Sequence, residues 1–91
     1  MPLLAPDQIA KELTKLKGWE LSGKEIRKTW EMKDFVHAIG FVNSVSLIAE
    51  RVNHHPDIDI RWNRVTLTLS THSAGGLTNK DFDLVVQIEA V

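Results

Sequence analysis

The chain predicts an α+β domain of two layers, a four-stranded antiparallel sheet with three helices packed on one face, in the order α-β-β-α-β-β-α. Three observations carry this. Residues 58–62 and 65–69 alternate apolar and polar side chains, the period of a half-buried strand. A long stretch from Phe35 to Val52 and two shorter ones repeat apolar residues at helical spacing. No linker, repeat or low-complexity run separates these segments, so residues 1–91 are expected to form a single domain.

Residues 6–17 place Ile9, Leu13 and Leu16 on one helical face, and Gly18 is a natural stop. Trp19-Glu20-Leu21 reads as a short strand turning at Ser22-Gly23. A second strand over 25–32 sets Ile26, Trp30 and Met32 on one face, interrupted by Lys28. Asp34 suits the N-cap of the long helix. That helix carries two apolar stripes: Phe35, Ile39, Val42 and Ala49, then Phe41, Val45, Ile48 and Val52. One stripe is enough to cover a sheet, so the second points to a partner subunit. Pro56 ends the helical region. A two-residue turn at Asn63-Arg64 would set Trp62 against Val65, Ile60 against Leu67 and Ile58 against Leu69. Thr78-Asn79-Lys80-Asp81 resembles a capping box at the start of the last helix, with Leu77 stapled onto Phe82.

Composition narrows the function. Eleven basic and twelve acidic residues leave a net charge of −1 with no basic stripe, which argues against nucleic acid. There is no cysteine, so thiolate metal sites and disulfides are excluded. No signal peptide is evident, and no uninterrupted apolar run has membrane length. A cytoplasmic protein that touches no membrane is expected. A domain of this size buries only about 60–65% of its unfolded surface, so self-association is a common remedy.

Three of the four histidines gather where elements end. His54 and His55 close the long helix, and His72 closes the last strand. The turn at Asn63-Arg64, extended outward, would set His55 opposite His72, with Cβ atoms about 4.5–5.5 Å apart. Glu50 precedes His54 by four residues, on the same helical face, where its carboxylate would orient an imidazole. Imidazole exchanges protons near neutrality, its unperturbed pKa being about 6.5. Zinc is disfavoured, because adjacent histidines in an extended segment point in opposite directions and no HExxH helix exists. Nucleophilic catalysis lacks a cysteine or a nucleophile-elbow serine. Metal-free general acid–base catalysis on a small molecule fits best. His37, alone early in the long helix, reads as a surface or interface residue.

Glu50, His54-His55-Pro56, Trp62, His72 and Asp81, with the flanking V-T-L-T-L-S-T-H and G-G-L-T, closely resemble the pterin-4a-carbinolamine dehydratases. The specific motif covers about a third of the chain. The resemblance implies dehydration of 4a-hydroxytetrahydropterin to quinonoid dihydropterin, recycling the cofactor of aromatic amino acid hydroxylases. It implies His54 and His72 as acid–base groups, His55 as a substrate holder and Glu50 as an orienting carboxylate. It further implies backbone contacts from Ser70 and Thr71 to the pterin edge, a substrate-side aromatic at Trp62, and Asp81 steadying the histidines. No metal or bound cofactor is implied, the pterin being the substrate, and family members form homodimers or homotetramers through sheet edges and the long helix. One departure is Ile58, where many animal members carry an aromatic residue. The competing expectation is a non-catalytic assembly protein or transcriptional co-regulator on the same fold; the complete histidine set favours the enzyme.

Overall fold

The structure, a computed structural model, describes residues 2–91. Its elements run α1 (Pro6–Thr14), β1 (Glu20–Ser22), β2 (Glu25–Glu31), α2 (Phe35–Val52), β3 (Asp57–Arg61), β4 (Arg64–Leu69), a single 3-10 turn (His72–Ala74) and α3 (Asn79–Glu89). The four strands form one antiparallel sheet in the order β1-β2-β4-β3. The expected architecture is therefore present.

The sheet's centre explains its core. β4 lies between two partners, and its inward residues Val65, Leu67 and Leu69 are fully buried together with Ile26 of β2. β3 has a neighbour on one side only, and Ile58 stays 40% exposed. Lys28, which interrupts the apolar face of β2, resolves itself by reach. Its ammonium sits 5.0 Å over the Trp30 ring and donates to Glu89 at 2.6 Å, while Trp19 Nε1 donates to the same carboxylate at 2.9 Å. The stem thus lies in the apolar layer and the charge is neutralised at its edge.

Local chemistry sets the helix ends. α1 stops at Thr14 and not at residue 17, because Lys15 and Leu16 close tighter turns onto Glu12 and Leu13. α2 begins at the expected cap, where Asp34 accepts from the backbone N–H of His37. It ends at Asn53, whose left-handed φ of 54° lets the N–H of His54 reach back to the carbonyl of Ala49 at 3.1 Å. The two apolar stripes of α2 do not form two faces. Ala38, Val45 and Ala49 are buried, and Phe41, Val42, Ile48 and Val52 pack beside them. Phe35, Val36 and Leu47 are the large apolar residues of this helix left outside. α2 has 18 residues and a mean hydropathy of 1.2, enough by length and composition alone to cross a membrane. It also carries Glu50 and Arg51 and covers the core with its other face.

The β3–β4 hairpin departs from expectation by two residues. Ile58 pairs with Leu67 and Ile60 with Val65, so the turn is Trp62-Asn63. The cause lies outside the hairpin: Asn63 holds β2, its Nδ2 donating to the carbonyl of Met32 and its own carbonyl accepting from Met32 N–H. That clamp puts Trp62 into the turn at a φ of 52°, with the residue 68% exposed. Trp62 is therefore not paired with Val65, and His55 is not opposite His72.

The Asp34 cap yields a pH prediction. Its carboxyl is held below the ordinary 3.8, first by the His37 backbone N–H and then by the His37 ring. A depressed acid contributes stability above its unfolded pKa and loses it as pH falls through the folded value. The Tm difference between wild type and Asp34→Ala should hold at neutral pH and shrink below about pH 4. Thermal melts followed by circular dichroism check this; a gap that widens on acidification would contradict it.

Candidate active site

The site lies where the exits of α2 and β4 meet the start of α3. Asn53 turns the chain out of α2 so that His54 points inward and His55 outward. His54 Nε2 lies 2.6 Å from Asp81 Oδ1, and the histidine side chain is only 12% exposed. Asp81 is completely buried. Its other oxygen, Oδ2, accepts from the Thr71 hydroxyl at 2.8 Å and from the Thr78 backbone N–H at 2.9 Å. The Thr71 and Thr78 hydroxyls bond each other at 2.8 Å. One carboxylate thus caps α3, ties down the end of β4 and holds an imidazole. Because the carboxylate accepts, His54 Nε2 carries the hydrogen and Nδ1 is the nitrogen left for chemistry.

Glu50 acts elsewhere than expected. The left-handed residue Asn53 breaks the helical spacing, so Glu50 Oε1 meets His55 Nε2 at 2.6 Å instead of reaching His54. This pair is exposed. His72 does not close a strand. It opens the 3-10 turn that follows Thr71, and among the described residues its ring makes no hydrogen bond. That turn is closed by Gly75 at a φ of 78° and by a bridge between Thr71 and Gly76.

His54, His55 and His72 nonetheless line one cavity of about 360 Å³, with Asn53, Ser70, Thr71, Ser73 and Lys80. Three imidazoles therefore share one space, although by different backbone routes than a continued hairpin would provide. Thr71 cannot offer both backbone groups to a ligand. Its N–H donates to Gly76 O at 2.8 Å, and its carbonyl accepts from Ala74 and Gly75. Ser70, just beyond the last ladder pair, gives its hydroxyl to the Lys24 carbonyl. Trp62 lies at the opposite end of the five-residue strand β3, about 17 Å along the chain direction, and does not line the cavity. Asn53, Ser73 and Lys80 were not singled out from the sequence. Only Lys80 had a legible signal there, one residue from Asp81 in the first turn of α3. Among the described residues no three His, Asp or Glu side chains are spaced to hold a metal ion. A larger cavity of about 510 Å³ between α2 and α3 holds no histidine.

Fold and cavity together define a class, small two-layer α+β domains with a polar, histidine-lined cavity at one end of an open antiparallel sheet. Within that class, the chain belongs to the pterin 4 alpha carbinolamine dehydratase family, which residues 2–91 match. A relative from Roseiflexus castenholzii is 55% identical over 89 residues, spanning 98% of this chain and 96% of its own. One from Acidobacterium capsulatum is 53% identical over 91 residues, spanning 100% and 99%. Both are named, provisionally, pterin-4-alpha-carbinolamine dehydratases. The crystal structure of a transcriptional coactivator/pterin dehydratase from Brucella melitensis is similar with a TM-score of 0.90 at 35% identity, over 96% of this chain and 95% of that one. A pterin dehydratase-like protein identified as a RuBisCO assembly factor in the alpha-carboxysome has a TM-score of 0.69 at 18% identity, over 81% and 88%. That second likeness is one of fold.

Proposed function

We propose that the histidine cavity dehydrates 4a-hydroxytetrahydropterin to quinonoid dihydropterin and water, returning oxidised pterin to the pool a reductase can use. The observation that carries this is the junction of His54 with buried Asp81 at one wall of the cavity and unbonded His72 at another. The reaction breaks the C4a–O bond, removes the proton from N5 and forms a C4a=N5 double bond. It needs one group to protonate the departing hydroxyl and a second to take the N5 proton, and no oxidant or reductant.

His54 and His72 fill those two positions. His54 presents Nδ1, because Asp81 engages Nε2, and His72 has both ring nitrogens available. Each transfer contributes typically 10²–10⁴-fold when well placed. His55, oriented by Glu50 at the exposed rim, holds the substrate. Ser70 faces the pterin edge; Thr71 contributes through Asp81 and the loop it closes. Asp81 acts on the substrate only through His54.

A homo-oligomer is part of the same reading. The unpaired edge of β3 and the exposed Phe35, Val36 and Leu47 of α2 are surfaces a second copy can cover. These surfaces also keep the assembly or co-regulator role as the second reading. A turnover assay separates the two. Catalytic amounts of protein should speed the decay of freshly generated 4a-hydroxytetrahydropterin well beyond its spontaneous rate. Decay at the spontaneous rate beside a folded protein would put the assembly role first.

A further inference from the structure

The three cavity histidines are held in different ways. Asp81 engages the His54 ring and Glu50 the His55 ring, whereas among the described residues the His72 ring has no hydrogen-bond partner. His72 is also exposed, so packing does not confine it. Its approach to the cavity is set by the backbone of its own 3-10 turn, and hence by whatever holds that turn. Resting on the dehydratase reading above, we propose that the segment ahead of α1 is a strap that positions His72, with Leu4 as its positioning residue.

The ties inside the loop are local. The Ala74 and Gly75 N–H groups both donate to the Thr71 carbonyl at 3.0 Å, and the Thr71 N–H donates to the Gly76 carbonyl at 2.8 Å. These bonds close the loop on itself without fixing it to the rest of the fold. The root of the loop is anchored, because Asp81 and Thr78 hold the Thr71 hydroxyl and Ser70 reaches the Lys24 carbonyl. Beyond that root, among the described residues, one hydrogen bond joins residues 72–77 to anything outside the loop. It runs from the Leu4 N–H to the Leu77 carbonyl at 2.9 Å.

Packing gives the strap little further hold. A cavity of about 200 Å³ lies between strap and loop, with Leu3, Leu4, Ile9, Gly75, Gly76 and Leu77 in its walls. Side chains that face a void lack partner atoms there, so burial alone does not fix the two segments together. They do meet at Gly76, where a Cβ would lie 3.1 Å from Leu3 Cδ2. The bare glycine lets the strap lie close enough for the Leu4 bond to form.

Loss of that bond frees the return of the loop while His54 and His55 keep their own carboxylates. Proton transfer through His72 then suffers, because it depends on placement, and substrate binding does not.

Leu4→Pro removes the N–H, and Leu4→Ile keeps it. Leu4→Pro is expected to lower kcat about tenfold with KM unchanged, and Leu4→Ile to match wild type. Amide hydrogen exchange followed by NMR reads the hold on the loop and needs no turnover. The Thr71 and Gly75 amides should exchange about three- to tenfold faster in Leu4→Pro, with the His54 amide, bonded to Ala49 outside the loop, unchanged. Gly76→Ala, whose Cβ pushes Leu3 aside, should speed the same amides to a smaller extent and decides the matter if Leu4→Pro does not fold. Wild-type kcat in a folded Leu4→Pro protein, unchanged exchange in the loop, or acceleration that includes His54 would overturn the strap. An inert wild type would overturn the dehydratase reading alone: selectively faster loop exchange would still sustain the strap, and unchanged exchange would overturn it.

Discussion

Asp81→Asn is expected to leave the protein folded and to lower the proposed dehydration of 4a-hydroxytetrahydropterin by about 10²–10⁴-fold. The substitution is nearly isosteric, and the orientation of the new amide is decided by its neighbours. Two donors, the Thr71 hydroxyl and the Thr78 N–H, converge on Oδ2. Only the amide oxygen can replace that atom, so the amide nitrogen falls against His54 Nε2. The ring's Nε2 must then accept, which moves its hydrogen to Nδ1 and takes away the Nδ1 lone pair. The cap and the β4–α3 link survive, so Tm should fall little. Asp81→Ala would behave differently. It leaves the Thr78 N–H and His54 without their partner, each at about 1–3 kcal/mol, while the Thr71 hydroxyl keeps only its bond to the Thr78 hydroxyl. A wild-type rate in a folded Asp81→Asn protein would dismiss the tautomer argument. Kinetics beside thermal melts of both variants make the distinction.

The second large effect separates the histidines from one another. His72→Ala is expected to lower kcat by about 10²–10⁴-fold with KM little changed, since in the role proposed for it the lost group moves a proton only during reaction. His55→Ala is expected to raise KM about three- to tenfold and to spare kcat, since a rim hydrogen bond to substrate contributes about 0.5–1.5 kcal/mol. Both residues are exposed, so neither change should unfold the protein. Steady-state kinetics over a range of substrate concentration reads both. If the two variants lose kcat alike, His55 belongs with the proton-transfer groups and the division of roles fails.

Much of this was legible in the chain because period and capping are local. Val65, Leu67 and Leu69 announced the central strand by alternation alone, and Asp34 and Thr78 announced two helix starts by type and position. Asp81 was readable as a cap carboxylate from its place three residues after Thr78. The hairpin register was not readable. Sliding β3 by two residues keeps every inward side chain inward, because the side-chain period is two. Ile58 meets a leucine either way. What selects the true register is Asn63 gripping Met32, a contact with a strand more than thirty residues upstream.

The partners of the histidines were lost for a related reason. Helical spacing assigned Glu50 to His54, but that spacing holds only while the helix lasts. Asn53 in the left-handed region ends it one residue too soon, handing His54 to Asp81 and His55 to Glu50. His72 was placed in the right neighbourhood by the wrong path, a 3-10 turn in place of a strand. Lys80 neighbours Asp81 in the chain, but its place in the cavity depends on the α2 exit lying beside the first turn of α3.

The measurement closest to the central claim is single-turnover stopped flow, with protein in excess over 4a-hydroxytetrahydropterin, run for wild type, His72→Ala and buffer alone. Excess protein removes substrate binding and product release from the observed rate, so the chemical step is what is read. The account predicts rapid conversion to quinonoid dihydropterin by wild type and, for His72→Ala, a rate lower by about 10²–10⁴-fold or indistinguishable from buffer. Equal rapid conversion by wild type and His72→Ala would contradict it, and so would no acceleration by either.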